Sequence, residues 1–327
     1  MDNKQFYSLD EYIRQGEPQK AEKSSLWKTA IGLQDVDGLK TSDYLLEIAK
    51  MHIDGKIDIE TAKERIDSYY INRDIRQTAE EKTMEADKAA VRIAQILSEK
   101  TFQFSPAELS VIHHRLFDGV YKHAGKIRAY NITKNEWVLN GQTVYYASAD
   151  SIKETLDYDF SQEKNFSYSG LSTAESIRHI AKSTSGIWQI HPFCEGNTRT
   201  TAVFVIKYLQ TFGFNVSNDV FAENSWRFRN ALVRANYNEL KNGIHGTTEF
   251  LENFFENLLL GTNHELKNRY LHIDFQSATI NSPKCQNDTL ILIFNQHIDK
   301  IQSLPVILLM VSLDNEQIVS QSLSTTF

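Results

Sequence analysis

Residues 191–204 read HPFCEGNTRTTAVF. A compact polar loop runs straight into an apolar segment, and the reading of that junction decides the fold around it. Upstream, ESIRHIAKSTSGIWQI (175–190) spaces Ile177, Ile180, Ala181, Thr184 and Trp188 three to four residues apart, one face of a helix. Downstream, Ala202, Val203, Ile206 and Leu209 repeat that spacing from a helix start near Thr198. The polar stretch is therefore a loop that ends at a helix N-terminus, where unpaired backbone N–H groups and the positive dipole end favour an anion. Gly196 permits a positive φ or a close backbone approach. Asn197 offers a hydrogen bond to a phosphate oxygen, and Arg199 a permanently charged fork. Glu195 beside phosphates suits Mg²⁺, which takes one or two carboxylates plus phosphate oxygens. His191 is placed to accept a proton from an attacking hydroxyl. Phe193 is expected in the core as the anchor of the loop. Taken singly, each residue also has a plain reading: a structural histidine, a turn, a solvated arginine. Their order and closeness favour the chemical one.

Composition narrows the function classes. The 327 residues, 41% hydrophobic and 24% charged, suit a globular chain with a sizeable core. The net charge of −7 argues against a default nucleic-acid binder. Two distant cysteines, Cys194 and Cys285, make neither a disulfide framework nor a zinc quartet, and fit a reducing, cytoplasmic setting. No apolar signal segment opens the sequence, and the runs LILIF and VILLMV are too short to span a membrane. Periodicity and a window from Lys56 to Ser105 free of glycine and proline predict a mainly α chain. Helices are expected at about 43–53, 58–70, 76–99, 106–118, 150–160, 172–188, 198–212, 224–235 and 247–260. Residues 1–20 look loosely ordered. Asn140-Gly141, between Trp137, Val138 and Thr143, Val144, Tyr145, predicts a β-hairpin over about 136–147, because a type I′ turn needs two positive φ angles.

The loop also resembles the signature of the Fic (filamentation-induced-by-cAMP) family of the Fic/DOC superfamily, His-Pro-Phe-x-x-Gly-Asn-Gly-Arg-x-x-Arg. His191, Pro192, Phe193, Gly196, Asn197 and Arg199 stand in register, with Glu195 at the acidic position. LFDGVYKHAGKIRAYNITKNEWVLNG (116–141) resembles the family's approach to its flap, and the likeness covers about residues 85–260. It implies a helical Fic bundle with a β-hairpin flap, and transfer of AMP from ATP to a Ser, Thr or Tyr hydroxyl of a target protein. His191 would be the base, Glu195 the Mg²⁺ ligand, and Gly196, Asn197, Thr198 and Arg199 the phosphate site. Asn236 and Tyr237 fall at the adenosine pocket. Trp137, Val138, Asn140, Thr143, Val144 and Tyr145 would dock the target by strand addition. The partners implied are ATP and an unnamed target protein, with no nucleic acid and no membrane; a homo-oligomer is compatible with all of this.

Two positions depart from the pattern. Thr198 replaces a glycine and Ala202 replaces the second arginine, whose contact to a terminal phosphate is worth about 1.5–3 kcal/mol. Reduced activity, a silent Fic-fold binding or regulatory protein, and transfer of another phosphate-linked group all stay open. Residues 25–66 resemble the antitoxin-like module that accompanies many relatives, linking the chain to toxin–antitoxin systems. In the window Leu33–Gly38, Leu33 stands for the usual Ser and Asp37 for the inhibitory Glu. With Ala202 in place of its arginine partner, Asp37 is expected to have lost its salt bridge and the module to survive as packing. The divisions expected are an N-terminal tail and module (1–75), a Fic domain (76–265) and a C-terminal extension (266–327).

Overall fold

The computed structural model describes residues 4–71, 73, 77–214 and 219–275. It is mainly α: α1 Lys4–Arg14, α2 Pro18–Gly32, α3 Asp43–Ile53, α4 Ile59–Ile71, α5 Thr78–Ser98, α6 Pro106–Phe117, α7 Ile152–Asn165, α8 Thr173–Ile190, α9 Asn197–Thr211, α10 Val220–Ala235 and α11 Glu249–Leu260. Among the described residues the β pairing is a single antiparallel bridge, Glu239 to Ile244.

Helix α9 lies at the centre. Its expected apolar stripe is buried, and so are Thr198, Arg199, Thr200, Thr201, Phe204, Val205 and Lys207. Helices α5, α6 and α8 pack around it, which is why a helix with so many threonines is covered on every side. Helix α8 starts with a capping box in which Ser172 and Glu175 satisfy each other's backbone N–H groups. Its inward face is the one that the spacing predicted: Ile177, Ile180, Ala181, Thr184 and Trp188 are all buried.

The N-terminal segment is better ordered than its sequence suggested. Residues 4–14 and 18–32 are helical, and α2 packs against α1, α5 and α10. The reason is tertiary. Leu9 is fully buried, Ser24 donates to the Leu9 carbonyl at 2.8 Å, and the buried Lys28 reaches both Asp10 and Asp219 at 2.6 Å. Gly32 is required by α10: a Cβ there would stand 2.2 Å from the Ala222 carbonyl oxygen. One hydrophobic core runs from Leu9 to Leu271. The extension expected beyond residue 275, with Cys285, lies outside the described residues.

The hairpin expectation needs correction. Asn140 and Gly141 do have positive φ, 55° and 81°. No strand ladder follows them. Trp137–Leu139 forms a 3-10 turn, and Glu136 N–H donates to Gln142 O while Gly141 N–H donates to Glu136 O. Val138 and Leu139 are consecutive and both 0% exposed; a strand would send neighbours to opposite faces. Burying both side chains closes the segment into a compact loop.

Candidate active site

The loop 191–196 is held from two sides, mostly through backbone. His191 ends α8 in the left-handed region, φ 50° and ψ 58°. Among the described non-glycine residues only Asn140 and His191 have positive φ, and such strain persists only where the surroundings over-determine it. Arg128 supplies that constraint. This buried guanidinium donates from Nε to the His191 carbonyl (2.8 Å), and from its terminal nitrogens to Tyr130 O (2.7 Å), Ala147 O (2.5 Å) and Ile190 O (3.4 Å). Its own N–H donates to Pro192 O. One side chain thus ties the end of α8 to both limbs of the 130–147 segment.

His113 of α6 holds the other side. Gly125 N–H donates to its Nδ1 at 2.7 Å, so Nε2 carries the proton and donates to Glu195 O at 3.0 Å. Phe193 is buried and stacks on the His113 ring at 3.8 Å, the anchoring expected of it. Burial lowers the His113 pKa to about 4, and the ring stays neutral. Nothing in local spacing pointed to His113 or Arg128; the loop carbonyls that they hold, Glu195 O and His191 O, lie 82 and 63 positions away.

The chemistry-bearing side chains are distributed unevenly. His191 Nδ1 lies 3.3 Å from Trp188 O and donates to it, which leaves the lone pair on Nε2. That Nε2 is buried without a partner. An unmet buried acceptor costs about 1–3 kcal/mol and calls for a reason. Burial, then the positive charges of Lys134, Arg229 and Arg128, push the His191 pKa well down, so the imidazole is neutral. Tyr146 packs on it at 4.2 Å.

Several residues read as phosphate donors are occupied. Asn197 accepts from Phe193 N–H (2.9 Å) and donates to Phe193 O (2.7 Å), so its amide closes the loop rather than facing an open site. Thr198 turns its hydroxyl inward and accepts from Trp188 Nε1–H at 2.9 Å, joining α8 to α9. Gly196 has φ 74°, and a Cβ there would meet the Phe117 ring at 2.4 Å; packing demands the glycine. The N-terminus of α9 still begins at Asn197, where geometry leaves the first N–H groups without intrahelical acceptors. Glu195 is exposed and pairs with Lys134 at 2.9 Å. Among the described residues no three His, Cys, Asp or Glu side chains converge on a metal position. A Mg²⁺ ion fits only with one protein carboxylate, Glu195, and oxygens brought by a nucleotide.

Arg199 is 1% exposed. It donates to Gln34 Oε1 (3.1 Å), Glu85 Oε1 (2.5 Å) and the Tyr121 hydroxyl (3.2 Å), and lies over the Phe117 ring. Asp37 Oδ2 stands 2.8 Å from its Nε, as an ion pair off the N–H direction. Asp37 Oδ1 is also 3.6 Å from Arg229 of α10. The expectation that Asp37 had lost its arginine is therefore overturned. Ala202 is buried in the core and brings no cation, but Arg199 and Arg229 both face the carboxylate. Despite the cost of burial, these carboxylates keep both arginines' pKa raised.

The remaining candidates divide. Asn236 donates to Ser185 O, Ser185 Oγ and Leu232 O, tying the end of α10 to α8. Tyr237 is buried and donates to Gln142 of the 136–142 loop at 2.5 Å. Of the docking residues, Val138 and Val144 are core, Thr143 accepts from Lys134 N–H, and Asn140 donates to Asp274. Only Trp137 and Tyr145 present large exposed apolar surface, and Trp137 also packs on Trp226 and His272.

Comparison with known proteins gives this arrangement a context. The model of the Fic/DOC family matches residues 103–209, from just before α6 into α9. Protein adenylyltransferase VbhT of Bartonella schoenbuchensis is 26% identical over 117 residues, 36% of this chain and 23% of that protein. The matched part thus amounts to less than a quarter of that relative's length. Among solved structures, BepC from Bartonella tribocorum with bound AMPPNP is 23% identical, covers 56% of this chain and 88% of its own, and has a TM-score of 0.44. The N-terminal Fic domain of a VirB-translocated Bep effector with bound ADP from Bartonella quintana is 23% identical, with 57% and 87% coverage and a TM-score of 0.45. No described helix is long and apolar enough to cross a membrane.

Proposed function

From a chain that carries a Fic domain of the Fic/DOC family, we propose a protein adenylyltransferase that moves AMP from Mg·ATP to a Ser, Thr or Tyr hydroxyl of a target protein. The observation that carries this reading is His191: a neutral imidazole with its tautomer set by Trp188 O and a buried, unpartnered Nε2. Nε2 takes the proton of the target hydroxyl as its oxygen attacks the α-phosphorus, and the bond from that phosphorus to the bridging oxygen of pyrophosphate breaks. The α-phosphate meets the N–H groups that open α9, donors fixed before the charge develops. Arg199 receives the phosphates beyond it. Bound Mg²⁺, held by Glu195 and phosphate oxygens, would offset the charge of the leaving pyrophosphate. Negative charge from ATP also opposes the cations that depress the His191 pKa, and so strengthens the base when substrate is present.

His191 and Arg199 are both closed to solvent in this conformation. Access for ATP therefore requires the Leu33–Asp37 turn to withdraw from Arg199. This closure and the alanine at 202 also favour a second reading, a Fic-fold protein that binds partners without transferring a nucleotide. Intact-mass spectrometry of the full chain with Mg·ATP separates the two. A gain of about 329 Da on wild type and none on His191→Ala is the expected result. Should neither self-modification nor calorimetric binding of ATP occur, even after Asp37→Asn, the adenylyltransferase reading is lost.

A further inference from the structure

His191 is 3% exposed and its Nε2 has no partner. For that nitrogen to meet a substrate, one wall around the ring has to move. Two aromatic rings lie against the imidazole: Tyr146 at 4.2 Å, tilted by 38°, and Trp188 edge-on at 5.2 Å. They are held differently. Trp188 sits inside α8, is 1% exposed, and donates from Nε1 to Thr198 Oγ1 at 2.9 Å. Tyr146 stands on the connection between α6 and α7. The backbone on either side of it is fixed: Gln189 donates to Tyr145 O at 3.1 Å, and Arg128 to Ala147 O at 2.5 Å. The side chain has a looser hold. Its hydroxyl donates to Glu136 Oε1 at 3.4 Å, the long end of a hydrogen bond. Glu136 is itself pinned, 2% exposed with both oxygens 3.0 Å from the Arg229 guanidinium. The Tyr146 ring is therefore the movable part, set between a fixed backbone and a fixed acceptor.

We infer that Tyr146 is a gate over His191: with its hydroxyl on Glu136 the ring closes the imidazole, and a turn of the side chain opens Nε2 to a substrate hydroxyl. This rests on His191 being the reactive base. Opening changes one side chain between staggered rotamers and leaves α8 and the loop as they are. It breaks one long hydrogen bond and one ring contact, which are modest terms. Moving Trp188 instead would strip its Nε1–H of Thr198 inside the core, a larger cost. Tyr146 touches the base and not the reacting atoms. It acts through His191, by keeping water and stray acids from Nε2 until a substrate side chain displaces the ring.

The test is carbethoxylation of the full chain by diethyl pyrocarbonate, which attacks neutral imidazole nitrogens, followed histidine by histidine through peptide mass. Urea midpoints serve as folding controls. Tyr146→Phe keeps the ring and loses the tether. His191 should then react about three- to tenfold faster than in wild type, the worth of one hydrogen bond. Tyr146→Ala removes the ring and should raise the rate by about another tenfold, because no side-chain opening has to precede the reaction. His113 and His52 are buried on other contacts and should keep their wild-type rates in every form. A His191 rate that does not rise from wild type through Tyr146→Phe to Tyr146→Ala overturns the gate. A parallel rise at His113 and His52 marks general loosening and overturns it as well. These readouts use neither nucleotide nor target, so a failed gate leaves the transferase reading standing, and a failed transfer leaves the gate.

Discussion

The two walls of the site are built from different materials. The His191 wall is held by backbone: Trp188 O fixes the ring, Arg128 gathers four carbonyls around the turn, and His113 holds Glu195 O. The arginine wall is held by side-chain carboxylates: Asp37 and Glu85 on Arg199, Glu136 and Asp37 on Arg229. Carbonyls belonging to the helix end and its flanking loops cannot be exchanged without unfolding that backbone. A carboxylate on a short turn can be replaced by another anion. The difference teaches that His191 is fixed in place, while the anion that masks the arginines can be exchanged.

The largest expected effect lies on the backbone-held wall. His191→Ala should lower transfer by about 10²–10⁴-fold or more, with the urea midpoint close to wild type, as measured by intact mass and denaturation. A well-folded variant with normal turnover would break the comparison at its first member. On the other wall, Arg199→Met should act on stability. It takes the guanidinium from Glu85, whose side chain is 19% exposed, while Asp37 keeps Arg229, and a loss of about 1–3 kcal/mol in urea unfolding is expected. A loss under about 1 kcal/mol would show that water reaches these carboxylates freely, as at a surface pair.

Acid acts on two buried imidazoles, His113 in the His191 wall and His52 in the N-terminal segment. His52 accepts from Trp27 Nε1–H and His113 from Gly125 N–H, and burial brings both pKa values down to about 4. Both are neutral in the fold and protonate more readily when unfolded. Their stabilisation is complete above the unfolded value of about 6.5 and is lost as pH falls from there towards 4, by on the order of 1–3 kcal/mol each. Urea midpoints measured across that window should drop for wild type, and drop less for His52→Gln. A flat profile would mean that these rings take up protons equally in the folded and the unfolded chain. The smallest effect is expected from Thr198→Val, which removes the acceptor for Trp188 Nε1–H and should cost about 1 kcal/mol, seen in unfolding followed by tryptophan fluorescence.

Much of this was legible locally. The inward face of α8, the loop, and the start of α9 within a residue follow from spacing alone, because helical periodicity repeats every few residues. The positive φ angles at Asn140 and Gly141 were equally readable. The strands beside them were not, because β-forming residues at 137–138 and 143–145 describe any half-buried extended or turned segment. Whether Val138 and Leu139 bury together depends on what packs over them. The helix at Lys4–Arg14 was missed for a similar reason: its order comes from contacts with α2.

The sequence by itself determined that the chain is helical, that a histidine, an acid and an arginine flank one helix N-terminus, and that position 202 carries no charge. Those are facts of residue type and near spacing. Only the tertiary structure decided that Asn197 and Thr198 serve the loop and the core, and that Asp37 still holds an arginine. It alone brought Arg229 beside Asp37 and Glu136. Ion pairs between positions 37, 85, 136, 199 and 229 leave no periodic trace along the chain; a charge finds its partner through packing, over separations that no local pattern encodes.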